Sequence, residues 1–239
     1  MRLDGGTPVP SWFLDELAHA GAEHVDQAYV ADYDRKSPTD WTGELELLRG
    51  LGMDQRSTLV DLGAGTGAFA LAAARLCRRV VAVDVSPAML AVVRAEAERR
   101  GIANVECVRA GFLSYEHRGD PADVVHSRNA LHHLPDFWKS LALRRVAAVL
   151  RPGGVLRLRD LVFSADLAQV EPDIEAWLAA APVRAEVGWT RPEYEVHLRE
   201  EHSTFSWLLE PMLERAGFRI DSVEHSVSRI FAAYTCRRA

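Results

Sequence analysis

The residues best placed to do chemistry lie in VDLGAGTGAF, residues 60–69, where Gly63, Gly65 and Gly67 follow the acid Asp61. An apolar run that meets an acid and passes through a glycine turn into an alanine-rich segment is a strand, a tight turn and a helix start. Glycine serves two needs there, backbone with positive φ and the close approach of a ligand to the main chain. The helix opening near Ala68 directs free N–H groups and the positive end of its dipole at the same place, which suits an anionic ligand group. Asp84 stands about 20 residues beyond the first glycine, at the end of the apolar run VVAVDV, where an acid can chelate the two ribose hydroxyls of an adenosine-type ligand. GAGTGA also fits the dinucleotide fingerprint, so the turn alone leaves a nicotinamide-dependent oxidoreductase open, and Asp84 could instead cap the helix after it.

Other polar residues gather downstream. His132 and His133, in LHHLPD, are each either a proton acceptor beside a strand end or a structural histidine bonding backbone. His197 and His202 flank Arg199, Glu200 and Glu201 without the i, i+4 spacing of a helical metal pair, so they read as pocket-lining groups and no metal site is expected. Asp160, closing VLRLRD, is a contact to substrate or a helix cap. Cys77, Cys107 and Cys236 lie far apart with no C-x-x-C spacing and read as buried thiols.

The elements that must position these residues alternate from Ser57 onward. TLVDL, VVAVDV, NVECVRA, ADVVHS and VLRLRDLVF are strand patterns separated by helical ones, the signature of a parallel sheet with crossover helices. Ser86 is an N-cap with Pro87 at the first helical position, and Pro152-Gly153-Gly154 stops the helix that begins after Asp136. Before the core, Ser11 is expected to cap a helix over WFLDELAHA, and a second short helix runs from Trp41 to Leu51. These features divide one domain into a helical cap (1–56), a cofactor-binding core (57–163), a substrate-lid insertion (164–204), and a closing helix with two antiparallel strands (205–239). The insertion is long for a compact connection and carries Trp177, Trp189 and Tyr194, enough aromatic surface to line a pocket.

VDLGAGTGAF, VVAVDVSPAML, VVHSRNALHHLPD and LRPGGVL, in this order and spacing, resemble the successive signatures of the class I S-adenosylmethionine-dependent methyltransferases. The resemblance covers Ser57 to about Phe163 and, more weakly, the final AGF and two strands. It implies an α/β, Rossmann-like, seven-stranded and mostly parallel sheet of order 3-2-1-4-5-7-6, with strand 7 antiparallel. S-adenosyl-L-methionine would lie across the carboxyl ends of strands one to four. The resemblance further implies that the turn amides of Gly63, Ala64, Gly65 and Gly67 face the methionine carboxylate and ribose, and that Asp61 offsets the ammonium group through water. Asp84 would take the ribose hydroxyls and Val85 would pack on adenine, with Arg128 and Asn129 completing the cofactor set. Similar proteins often carry an acid after strand three that accepts the adenine amino group, but Gly111 stands there, so backbone around Ala110 and Phe112 would have to serve, with Gly111 and Phe112 as contacts. In phosphoethanolamine methyltransferases the histidine matching His133 works with a tyrosine from the N-terminal cap. Tyr29 and Tyr33 are candidates for that partner, and Tyr33 is taken as the second catalytic residue.

Charge narrows the acceptor. The chain is net −6, yet residues 1–56 hold 11 acids against 5 bases and residues 160–205 hold 10 acids against three arginines, which leaves the body net positive. Acidic segments on both sides of a site disfavour a polyanion such as nucleic acid. No apolar run reaches membrane-spanning length and the first residues lack a signal-peptide core, so a soluble cytoplasmic protein, monomeric or homodimeric, is expected. The reading is methyl transfer to a nitrogen or oxygen of a neutral or cationic small molecule. A nucleic-acid or protein methyltransferase, a nicotinamide-dependent oxidoreductase and a cofactor-binding regulator remain the alternatives.

Overall fold

The computed structural model describes residues 10–19 and 39–239. Five parallel strands form its centre: β1 (Thr58–Leu62), β2 (Arg79–Asp84), β3 (Val105–Arg109), β4 (Ala122–Arg128) and β5 (Leu150–Phe163). A two-residue strand, β6 (Thr204–Phe205), pairs with β5, and β7 (Phe218–His225) and β8 (Phe231–Arg238) close one side. The order is β3-β2-β1-β4-β5-β8-β7, with β8 antiparallel to both neighbours. Leaving the short β6 uncounted, this is the expected order with its last strand antiparallel. All residues of β1 are buried, and successive residues serve opposite faces: Leu59, Val80 and Ala82 join one apolar cluster, Val60, Val81 and Val83 the other. Burial on both faces is what a parallel sheet with crossover helices requires.

Helices cover both faces. On one side lie α1 (Thr42–Gly50), α2 (Ala68–Ala73) and α3 (Pro87–Arg99), whose Leu48, Phe69 and Val93 are buried against Leu59, Val124 and Val155. On the other lie α4 (Asp136–Val149) and α7 (Ser206–Arg215), which bury Leu143, Val146 and Leu213 against Val125, Leu156 and Tyr234. Ser86 caps α3, its Oγ accepting the Met89 N–H at 3.2 Å, as the Ser-Pro pair predicts. The insertion folds as α5 (Val170–Ala179) and α6 (Arg191–Glu200), and Thr190 with Glu193 forms a capping box at the start of α6. Its Trp177 and Leu178 make a separate small core with Leu161, Phe163 and Ile230.

Three expectations need correction. Residues 11–13 and 16–19 are turns and not a helix from Ser11, because Phe13 and Leu14 turn their apolar side chains onto the core beside Trp138. Pro152-Gly153-Gly154 does not separate α4 from β5, since β5 already begins at Leu150, opposite Ala122, and the pairing resumes only at Val155 opposite Val124. The three residues lie in a bulge, where a Cβ on Gly154 would come within 2.9 Å of the Arg151 carbonyl. Cys77 and Cys236 are buried thiols as expected, whereas Cys107 is half-buried.

Candidate active site

The glycine turn leaves β1 and folds onto the end of β2. The Gly63 and Ala64 N–H groups donate to the Val83 carbonyl at 2.9 and 3.0 Å, and the Gly65 N–H donates to Asp84 Oδ2 at 2.8 Å. The amides expected to face a ligand carboxylate are thus engaged within the protein, and they make the turn rigid. What the turn presents instead is bare backbone surface. Gly65 has φ of +54° with open space where a Cβ would stand, and a Cβ on Gly63, at φ of +73°, would collide with the Ala130 Cβ. Gly67 acts differently, as the N-cap of α2, and a Cβ there would strike Val93 of α3 at 2.7 Å.

Asp84 ends β2 almost wholly buried, accepting the Gly65 N–H at Oδ2 and the Ser86 N–H at Oδ1. These two hydrogen bonds orient the Asp84 carboxylate between the glycine turn and the start of α3. Gly63, Gly65, Asp84, Val85, Gly111, Phe112, Arg128, Asn129 and His133 all line one cavity, so nine of the residues anticipated from the sequence are brought together. Met89, Ala130, Leu134 and Glu16 share its wall without having been anticipated.

Three anticipated residues do not line that cavity, and one cannot be placed. Asp61 is buried beneath the turn, its Oδ1 2.7 Å from Nδ1 of His126, whose ring stacks on Phe69. Ala64 packs against the core cluster under α2, and Gly67 faces α3. Tyr33, with Tyr29, lies outside the described residues.

The two adjacent histidines part company. A 3-10 turn over Leu131–His133 follows β4, and within it His132 is buried while His133 faces the cavity. His132 Nδ1 lies 2.5 Å from Asp160 Oδ1, and its Nε2 lies 3.1 Å from Glu201 Oε2. Burial alone would hold the His132 ring neutral, but the Asp160 and Glu201 carboxylates outweigh it and carry its pKa up to about 9. Burial raises Asp160 in turn, and the His132 charge with two backbone N–H donors, from Leu161 and Leu131, brings it down to about 2. Asp160 therefore caps the 3-10 turn and holds His132, which settles its two readings in favour of the cap. Asn129 adopts φ of +51°, with its Oδ1 accepting from Arg159 Nη1 at 2.7 Å, and so points the chain from β4 toward the cavity.

His132, His133 and Glu201 bring possible ligand atoms together as a metal ion would need, but Asp160 and Glu201 already occupy both ring nitrogens of His132. The cavity fits an adenosine-type cofactor better, with a buried carboxylate at a strand end, bare glycine backbone at Gly63 and Gly65, and apolar walls from Val85, Met89 and Phe112.

Comparison with known proteins agrees. Residues 59–154 match the family model described as a methyltransferase domain. The uncharacterized methyltransferase YcgJ of Bacillus subtilis is 33% identical over 102 residues, which is 43% of this chain and 40% of that protein. The 27-O-demethylrifamycin SV methyltransferase of Amycolatopsis mediterranei is 28% identical over 200 residues, 79% of this chain and 69% of the other. Most of the curated relatives are matched over less than half of their own length. Among solved structures, phosphoethanolamine N-methyltransferase 2 of Haemonchus contortus superposes with a TM-score of 0.68 at 21% identity, over 91% of this chain and 48% of that one, a likeness of fold. The match to a methyltransferase domain over residues 59–154 thus takes in the part of the sheet, from β1 to the first residues of β5, whose strand ends line the cavity.

Proposed function

We propose that the chain transfers a methyl group from S-adenosyl-L-methionine to a nitrogen or oxygen atom of a neutral or cationic small molecule, by in-line displacement. The observation that carries this reading is the shared cavity in which Gly65 and Asp84 form a wall with Asn129 and His133. When bound, the cofactor supplies a methyl group already activated by its sulfonium. The Asp84 carboxylate holds the ribose hydroxyls, and Val85, Met89 and Phe112 flank the base. Positioning and exclusion of water are then the main contributions left to the protein. His133 accepts the proton of an acceptor that has one to lose, and Tyr33 is its proposed partner from the N-terminal segment. Glu16 of that segment reaches the same cavity, which supports the pairing.

A small acceptor is favoured by the insertion, which leans on the site through two contacts to His132. The His202 N–H donates to the His132 carbonyl at 2.8 Å, and Glu201 faces its ring. The insertion is acidic, which argues against nucleic acid as acceptor. Among the described residues no helix is long and apolar enough to cross a membrane. The names of the rifamycin and phosphoethanolamine enzymes also point to small acceptors.

Two measurements test the reading. Calorimetry should show S-adenosylmethionine bound by the native protein and, on the order of tenfold or more, less tightly by Asp84→Ala, as expected for a lost charged hydrogen-bond acceptor; equal binding would reject the cofactor site. A screen of amines and hydroxyl compounds for S-adenosylhomocysteine release should identify the acceptor class. His133→Ala should then lower turnover at saturating acceptor on the order of 100-fold, the low end for a lost general base. Unchanged turnover would remove His133 from the mechanism.

A further inference from the structure

We infer that Glu16, carried by the N-terminal segment, is the residue that reads the purine edge of the cofactor, and that it replaces a side chain the core lacks at Gly111. The inference rests on the cofactor site proposed above and assigns the part of it that remained without a polar side chain.

Glu16 Oε1 accepts the Leu113 N–H at 2.9 Å and Oε2 accepts the Ser114 hydroxyl at 2.8 Å, so the carboxylate is fixed against the loop that follows β3. Its place there is specific. A Cβ built on Gly111 would overlap Glu16 Oε1 and stand 2.5 Å from its Cδ and 2.8 Å from Oε2, and these are its three nearest atoms. The Glu16 carboxylate thus fills the volume in which a side chain at residue 111 would begin. Segment 10–19 is held in position by more than these bonds. Phe13 packs edge-on to Trp138 of α4 at 5.2 Å, and Phe13 and Leu14 lie against the main core.

Asp84 and Glu16 line the same cavity, to which Val85, Met89, Ala110 and Phe112 add apolar surface. A purine between them would turn its edge toward the Glu16 carboxylate. An ionised carboxylate only accepts hydrogen bonds, and each of its oxygens can accept more than one. The 6-amino group is the one donor that adenine offers on that edge, whereas a 6-oxo purine places an acceptor at position 6 and its donor at N1, so an acid facing position 6 favours adenine. The bond also couples the N-terminal segment to cofactor occupancy, because the carboxylate that ties the segment to the loop after β3 is also the one that reads the base.

The test is a swap, read by calorimetric binding of S-adenosylhomocysteine and of its 6-oxo counterpart S-inosylhomocysteine, with melting temperatures confirming the fold of each variant. The native protein should prefer the 6-amino ligand by roughly tenfold or more, the scale of one charge-assisted hydrogen bond. Glu16→Gln, equal in shape and able to donate, should erase that preference. Glu16→Ala should bind both ligands weakly and alike. Combining Glu16→Ala with Gly111→Asp should restore the preference, since the three atoms nearest a Cβ at residue 111 belong to the removed carboxylate. A preference that survives in Glu16→Ala, or native binding of both ligands alike, would overturn the role of Glu16 and leave the cofactor site standing. Native binding of neither ligand would overturn both.

Discussion

Residue by residue, the site depends on close approaches that admit no spare atom. Gly63 shows this most directly, because it combines a left-handed backbone with a Cβ position that overlaps the Ala130 Cβ. Gly63→Ala must therefore take on left-handed strain, roughly 1–2 kcal/mol, and a contact that neither backbone can relieve cheaply. A loss of about 2 kcal/mol or more is expected in urea unfolding, seen as a lower midpoint with an unchanged slope. A loss below about 0.5 kcal/mol, the range of an ordinary surface substitution, would mean that the turn is looser than this geometry requires. The same precision separates the paired histidines: the His202 N–H and two carboxylates hold His132 in place, and the turn that holds it leaves its neighbour facing the cavity.

At the scale of elements, α1 acts less as a lid than as an anchored part of the sheet's cover. Arg157 of β5, only 5% exposed, donates from Nε to Glu44 Oε1 at 2.8 Å and from Nη2 to Oε2 at 3.3 Å, and it also reaches Thr235 of β8. Arg157 Nη1 also lies 3.1 Å from the exposed Glu224 carboxylate, so removing the Glu44 charge leaves the buried guanidinium only partly compensated, at a cost on the order of 2 kcal/mol. Glu44→Gln should destabilise by about that amount in chemical denaturation, and an effect under about 0.5 kcal/mol, no more than a surface substitution, would show that apolar burial of Leu48 alone holds α1. Much of this architecture was legible beforehand because it is written locally. The fully buried strands, the Ser86-Pro87 helix start and the acid at Asp84 each follow from a few adjacent residues. The bulge at Pro152 to Gly154 was not, since the strand pairing of Leu150 with Ala122 decides it and not the turn-forming residues themselves. The helix expected at Ser11 failed for a like reason, its apolar residues being used to dock against Trp138. Glu16 was hidden by distance, bonding to a backbone group 97 positions away, and the glycine at residue 111 was the one local sign that something else must fill its place.

Across the whole molecule, the insertion and the core are joined by a buried charge network, so their union should depend on pH. Asp160 of β5 and Glu201, just beyond α6, face opposite nitrogens of His132, and His197 of α6 pairs with Glu201. The His133 and His197 rings lie 4.3 and 5.1 Å from that of His132. His132 has its pKa raised in the fold to about 9, above its ordinary value of 6.5, so its contribution is complete below pH 6.5 and is lost as pH rises through 9. Asp160 is lowered to about 2 from 3.8, so its contribution is present above pH 3.8 and is lost as pH falls through 2. Burial opposes ionisation of Glu201 too, but His132 and His197 hold its pKa well below the carboxylate range, which places its loss on the acid side as well. Stability from the network should therefore be greatest between about pH 4 and 6.5 and decline toward pH 9. His132→Gln keeps a polar side chain without the titrating charge, so its melting temperature should lie below the native value at about pH 6 and change little from there to about pH 9. The native melting temperature should fall over the same interval until the two curves approach each other. Parallel curves, with the same decline in both proteins, would show that other groups govern the alkaline side and that the insertion is held to the core by its apolar contacts through Trp177 and Phe163 instead.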